Sequence, residues 1–290
     1  MNTIQPVIDH EARRKRLGAS EVAAVLNLSP YTTPWEVWAN KVGILTPFKG
    51  NAATKAGNRL EDVILDYAEE DLGRLERQKL ILADGTPIAS TLDAEAVEAN
   101  GEPVEAKSAG ILSPVMEDWG STELEEVPQH YYVQVQTQLY CTKKDLGYLY
   151  AMLGGIGIRV YPIRRSPDLQ KMVDFLCAWW DRHVIGGDEP ERTEPIPLEL
   201  LKRRIRTPEK VVDLPLSIEA LLEERNELKE RNKENSQRLD AIDSEILTSL
   251  GDAEAGNLPG KLITYFESNR KGYTVQPTTF RTLRIKKAKA

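Results

Sequence analysis

The dipeptide Asn100-Gly101 is the strongest local folding instruction in the chain. It supplies the positive backbone angles that a tight turn needs, and strand-like residues flank it on both sides, so the sequence predicts a hairpin. The incoming side reads Pro87 to Asp93 and then Ala94 to Val97, and the outgoing side reads Pro103 to Ser108. Such a hairpin sets Asp93 and Glu105 on adjoining strands. Residues two apart on a strand share a face, so Glu105 and Lys107 point at one spot.

A second acid-x-lysine pair, Glu227 and Lys229, lies in a long polar run of helical character. On a helix i and i+2 do not face each other, so that pair reads as solvated surface. An exposed edge-strand salt bridge is the plain alternative for Glu105 and Lys107. Their strand context and the upstream Asp93 set them apart.

Around the hairpin the patterning alternates helix and strand. Ser20 is the expected N-cap of a helix from Glu21 to Leu28, and Thr33-Pro34 opens a second whose Trp35, Val37, Trp38 and Val42 form an apolar face. These aromatics read as core. Residues Ala52 to Leu72 predict a long amphipathic helix with Leu60, Val63, Ile64 and Tyr67 on its buried stripe, Glu61 beside it, and Gly73 as its stop. Further strands are expected at Leu75 to Leu82, Leu146 to Leu153 and Ile156 to Ile163, and further helices at Gln129 to Tyr140 and Asp168 to Val184. Gln134 and Gln138 share a face of the first of these helices.

This order predicts a mixed α/β (α+β) core over residues 1–190, a central mixed β-sheet flanked by helices. Residues 191–215 are a proline-rich linker or arm; five prolines fall within 188–215. Residues 216–290 form an extension: a long charged helix over 216–250, then strands at Lys261 to Glu267 and Gly272 to Val275 with a third piece at Phe280 to Ile285. Leu221, Leu228, Leu239, Ile242 and Ile246 fit a heptad seam, but Arg225, Asn232 and Asn235 fall in the same register, which favours a solvated helix or a helix hairpin over a strong coiled coil.

Composition narrows the chemistry. Cys141 and Cys177 stand 36 residues apart with no CxxC partner, and His10, His130 and His183 are the only histidines. Structural zinc, Fe–S clusters and multi-histidine centres are thereby disfavoured, and reduced, buried thiols are expected. No apolar run approaches the roughly 20 residues that span a bilayer and no signal-peptide core opens the chain, so a soluble, cytoplasmic protein with no membrane partner is expected. A net charge of -7 argues against indiscriminate coating of nucleic acid. Yet Arg13-Arg14-Lys15-Arg16 is a basic cluster, and seven Lys or Arg with no acid follow from Ser268 to the end.

Two carboxylates and a lysine converging on one spot suit a hard divalent cation and an activated water. In phosphodiester hydrolysis, paired ions about 4 Å apart stabilise the attacking and leaving oxygens. Asp93 and Glu105 are the expected ligands, with the backbone carbonyl of Ala106 adding an oxygen. Lys107 is expected to orient or help deprotonate the water, its pKa lowered by burial. Glu61 completes the cage through a water or by holding Lys107.

The chain also resembles a known family. Arg13 with Gly18-Ala19-Ser20-Glu21-Val22-Ala23-Ala24-Val25-Leu26, the Gly57 to Glu61 helix, Thr91-Leu92-Asp93, Glu105-Ala106-Lys107 and Tyr131-Tyr132-Val133-Gln134-Val135-Gln136 occur in the order found in the lambda-exonuclease/YqaJ-like viral recombinases of the PD-(D/E)XK nuclease superfamily. The resemblance covers roughly residues 10 to 190. It implies a Mg2+-dependent exonuclease, with Mn2+ as the alternative ion, that digests linear double-stranded DNA ends 5′-to-3′. It further implies a homotrimeric ring, a 3′ single-stranded overhang handed to a single-strand annealing protein, and, for a phage or prophage protein, work in a bacterial host's cytoplasm.

Carried over by motif, Asp93, Glu105 and Lys107 are catalytic, and Glu61 and Gln134 support metals and water. Arg13, with Arg14 or Arg16 as stand-ins, lines a 5′-phosphate pocket together with Ser20 and Thr91. Ser20 at a helix N-terminus beside a guanidinium suits an anion. One departure is Leu92, where the superfamily has a proline before the catalytic Asp. The rival readings are a PD-(D/E)XK endonuclease or RecB-like nuclease module, and an inactive DNA-binding or assembly protein.

Overall fold

The computed structural model describes residues 10–155, 157–192 and 195–269, with Gly272, Leu283 and Ile285 beyond them. The chain divides into two compact units, Met1–Arg206 and Thr207–Ala290. The first begins with α1 (His10–Arg14), β1 (Leu17–Gly18), α2 (Ala19–Val25), α3 (Pro34–Lys41) and α4 (Ala52–Leu72). It continues through β2 (Leu75–Leu82), β3 (Ile88–Ala96), β4 (Glu102–Ala109), α5 (Gln129–Thr142), β5 (Leu146–Leu153), β6 (Ile158–Arg164), α6 (Leu169–Trp179) and α7 (Leu198–Arg203).

Six strands form a mixed sheet. β3 pairs with β2 along its length, antiparallel, from Ala96 opposite Leu75 to Ala89 opposite Leu82. Its other edge is shared. Its start takes β1 in parallel at Ile88 and Ala89, and its end takes β4 antiparallel at Ala94–Ala96. β4 then runs parallel to β5, and β5 antiparallel to β6. The last β3–β4 pair is Ala94 with Val104. Beyond it the two strands diverge, and Asp93 and Glu105 are the first residues past the fork.

Local chemistry explains most boundaries. Thr33 Oγ1 accepts from the Glu36 amide at 3.2 Å and Pro34 takes the first helical position, which opens α3. The Asn51 side chain accepts from the Thr54 amide at 2.9 Å to open α4, and Gly73, with φ 76° and ψ -159°, closes it. The first two helices differ from expectation at one cap. Gly18 is the N-cap of α2 and its amide donates to Glu21 at 2.8 Å, so Ser20 lies inside the first turn, exposed, and is not the cap. β1 pairing with β3 pulls the boundary two residues forward.

Three apolar clusters hold the unit. On α4, Ile64, Leu65 and Ala68 pack against Val104, Ala106 and Tyr150. The expected stripe is thus rotated: Val63 is 43% and Tyr67 50% exposed. On α5, Val135 and Leu139 pack against Leu149, Ala151, Tyr161 and Ile163. The third cluster joins α2, α3 and α6 through Val22, Trp35, Trp38, Leu176 and Trp179, so the Trp35/Trp38 pair is core. Each fully buried side chain of this size contributes about 1.5–3 kcal/mol. After Trp179 the helix widens into a π-helical turn over Trp180–Ile185 instead of continuing as α-helix. Cys141 is buried and Cys177 half-buried, and both are free thiols.

Part of the proline-rich stretch belongs to the first unit. Leu45 bridges Arg204, and the Arg203 guanidinium meets Glu36 at 2.7 Å. The second unit holds α8 (Ser217–Leu250) and the hairpin of β7 (Ala255–Leu258) with β8 (Lys261–Thr264). No residue of α8 is buried. The expected partner of the Lys261 strand was downstream; Gly260, at φ 75°, makes the turn that pairs it backwards instead. The expected strand Gly272 to Val275 and the piece Phe280 to Ile285 lie outside the described residues but for Gly272, Leu283 and Ile285.

Candidate active site at the strand fork

Where β3 and β4 part, ladder bonds end and backbone groups need new partners. Asp93 supplies one: its Oδ2 accepts from the Ala106 amide at 2.9 Å. The side chain of one strand thereby replaces a backbone rung and holds the fork open at a fixed width. Thr91 lies two positions before Asp93, on the same strand face, and is exposed.

Glu105 is the buried centre, with 1% of its side chain exposed. Three donors surround it. Lys107 Nζ and Gln134 Nε2 both donate to Oε1, the latter at 2.5 Å, while Gln138 Nε2 donates to Oε2. The two glutamines are four apart on α5, one turn above the other, which lets one helix face serve both oxygens of one carboxylate. Gln138 is fully buried and its Oε1 has no partner among the described residues. Its pairing with Gln134 was legible as a shared face; its role was not, because the target lies 33 residues away in sequence.

Glu61 comes from the exposed side of α4. Its Oε1 accepts from Gln78 Nε2 at 2.6 Å. Gln78 takes φ 59° in the middle of β2 and drops out of the β2–β3 register opposite Asp93. A non-glycine residue in that conformation is uncommon and marks a site held by its surroundings. No pattern in the sequence signals it.

The electrostatics couple these groups. Burial, then the Glu105 carboxylate, push the Asp93 carboxyl well above the usual carboxylate range, with Lys107 opposing. Glu61 is raised for the same reason, by burial first, and with Glu105 adding and Lys107 opposing. Burial works to lower Lys107, but Glu105 and Asp93 outweigh it and hold the ammonium above its ordinary value. The direction is opposite to the expectation of a lysine lowered by burial, because the acids around Lys107 favour the ammonium. Its Nζ also lies 5.4 Å from the centre of the Tyr131 ring.

Among the described residues no group of three or more His, Cys, Asp or Glu side chains is gathered to hold a metal ion by itself. The chemistry of the donors nevertheless fits a hard divalent cation. Three mutually repelling carboxylates share one ammonium, and all their ligand atoms are oxygens. Lys107, Gln134 and Gln138 satisfy the Glu105 oxygens as the side chains stand.

The carried-over phosphate residues stand outside this hydrogen-bonded cluster among the described residues. Arg13 lies in the last turn of α1 and Ser20 in the first turn of α2, both exposed. Buried Lys41 fixes both ends of that region: its Nζ donates to the Arg13 carbonyl at 2.9 Å and pairs with Glu21 at 2.5 Å. Arg16 is committed elsewhere, donating to the Thr86 carbonyl at 2.8 Å, and Arg14 packs near Gly43, which leaves Arg13 as the outward cation of the four residues' arginines.

A mixed sheet forks between an Asp strand and a Glu-x-Lys strand, with both acids and the ammonium in one cluster, the arrangement expected of a PD-(D/E)XK nuclease core. Residues 10–145 match the model of the YqaJ-like viral recombinase domain. The YqaJ protein of Bacillus subtilis (strain 168), itself uncharacterised, is 27% identical over 254 residues, 84% of this chain and 78% of that one. An alkaline exonuclease from Laribacter hongkongensis superposes with a TM-score of 0.45 at 17% identity over 58% of this chain and 89% of its own. A phage-related exonuclease from Haemophilus somnus 129PT gives 0.45 at 14% identity over 60% and 96%. Among the described residues no helix is long and apolar enough to cross a membrane.

Proposed function

We propose that the chain is a Mg2+-dependent exonuclease that degrades linear double-stranded DNA 5′-to-3′ and leaves 3′ single-stranded overhangs for recombination by annealing. The observation that carries this reading is the Asp93–Glu105–Lys107 cluster at the strand fork, with Glu105 clasped from α5. Asp93, Glu105 and the Ala106 carbonyl would hold the metal, two Mg2+ ions or Mn2+ in their stead, with Glu61 in support. When bound, such ions supply a water nucleophile and neutralise charge on the phosphate.

The chain's own residues do the remainder. Lys107 keeps its protons and offers an ammonium to the phosphate oxygens as charge grows on them. Gln134 and Gln138 fix the Glu105 carboxylate in one rotamer, and Asp93 fixes the width of the fork through the Ala106 amide. Arg13, Ser20 and Thr91 are the surface through which a 5′-phosphate would be read, with Arg14 in reserve. A helix N-terminus beside a guanidinium favours an anion of that kind. A homotrimeric ring and a single-strand annealing partner complete the proposal.

Digestion of end-labelled linear duplex bearing 5′-phosphate or 5′-hydroxyl, beside a covalently closed circle, tests it. Mg2+-dependent release from the 5′ end, faster with the phosphate, is the expected result. Cutting of the circle would favour an endonuclease, and DNA binding without cleavage would favour an assembly protein. Molar mass by light scattering reads the ring.

A further inference from the structure

Tyr31 stands in the loop between α2 and α3 with 58% of its surface exposed. A single exposed tyrosine is ordinary; this one is the outer end of a column of rings. Its ring meets His130 edge-on, with centroids 5.7 Å apart and planes at 81°. His130 lies 3.9 Å from Tyr131, and Tyr131 is backed by Trp119 at 5.5 Å. His130 and Trp119 are buried, at 8% and 7% exposure. Lys107 Nζ sits over the Tyr131 ring at 5.4 Å. The column thus leads from the site ammonium to an open aromatic surface.

We propose that Tyr31 is a stacking platform for one nucleobase of the DNA strand being cut, next to the phosphate that Lys107 contacts. The placement of that phosphate rests on the nuclease reading above. An enzyme that removes nucleotides in succession must accept every base, and every base presents a π-face, so stacking suits it better than hydrogen-bond readout. Rings packed behind Tyr31 let it receive a base without first being ordered, which lowers the entropy that binding must overcome.

The test pairs a protein change with a substrate change, using the full chain in EDTA so that affinity is read without cleavage. Fluorescence anisotropy compares an intact duplex with duplexes lacking a base at the first or second nucleotide of either strand. Wild-type protein should bind at least one abasic duplex about ten-fold more weakly than the intact one. Tyr31→Ala should bind both equally, and Tyr31→Trp should keep the preference. Equal affinities in the wild type, or a preference that survives in Tyr31→Ala, overturn the proposal. Tyr31→Leu, which retains bulk against His130, serves if the alanine variant melts early. The two readings fail separately: cleavage with Mg2+ but no abasic discrimination removes the platform alone, and discrimination without cleavage of any DNA removes the nuclease alone.

Discussion

At Glu105 a buried carboxylate is served by one ammonium and two amides from a single helix face. Gln138→Leu removes the one partner of Oε2 among the described residues and leaves that oxygen buried; an unpaired buried acceptor costs about 1–3 kcal/mol. The urea midpoint should fall accordingly, and kcat should fall more than KM rises, because the rotamer of Glu105 is loosened and not the DNA surface. Lys107→Ala should lower cleavage by roughly 10²–10³-fold or more and, by leaving Glu105 buried without its ammonium, also lower the urea midpoint, so cleavage is compared at 25 °C on protein shown to be folded. Retained cleavage would sink the assigned role. His130 gives a pH signature. Burial, then Lys107, lower its pKa to about 4. The unfolded chain, near 6.5, therefore takes its proton first as pH falls, so this contribution is complete above about 6.5 and is lost progressively toward 4, amounting to roughly 2–3 kcal/mol. The raised Asp93 acts with the opposite sign, so the measurement is a difference: His130→Gln should flatten the fall in urea stability between pH 7.5 and 5 relative to wild type.

At the scale of elements, α4 is bounded by chemistry written into adjacent residues, Asn51 at one end and Gly73 at the other. Gly73 sits at φ 76°, ψ -159°, a conformation essentially reserved for glycine. The Glu98 carboxylate near its missing Cβ can swing aside, but the backbone cannot, so Gly73→Ala should cost about 1–3 kcal/mol in thermal or urea stability and leave cleavage at 25 °C unchanged. Boundaries of this kind were legible in the sequence, as were β2 and β5 and the hairpin at Asn100-Gly101, because each is set by residues in contact along the chain. Three features were not. The buried stripe of α4 depends on where Val104 and Tyr150 lie, and periodicity alone left it rotated to Val63 and Tyr67. The cap of α2 moved from Ser20 to Gly18 because β1 pairs with residues 71 positions onward. The positive φ of Gln78, which brings its amide to Glu61, answers to the fork and to nothing in its own neighbourhood. In the candidate site, Asp93, Glu105 and Lys107 were readable from strand spacing with Glu61 beside them, whereas the role of Gln134 came from the family resemblance. The sign of the Lys107 shift was not readable, since it turns on the number of acids that reach the ammonium.

The whole molecule separates the chemistry from the long helix. Thr207 to Leu216 is exposed and carries neither helix nor strand. Trypsin should cut first after Arg206 or Lys210, releasing a fragment that ends near the boundary of the first unit. That fragment should retain Mg2+-dependent cleavage of linear duplex, since every member of the site cluster lies before residue 139. Loss of cleavage on separation would show that the second unit takes part in the reaction.

The clasp on Glu105 also sets a condition on biosynthesis. The carboxylate leaves the ribosome well before its partners, Gln134 and Gln138, which follow 29 and 33 residues later. Until α5 has emerged, the strand that carries Glu105 cannot bury it beside its amide partners, and Val135 and Leu139 have not covered β5. The amides that clasp Glu105 thus emerge before β5 and β6, the strands on which Val135 and Leu139 pack. A translation product that stops short of Gln129 lacks both amides and leaves Glu105 without its clasp.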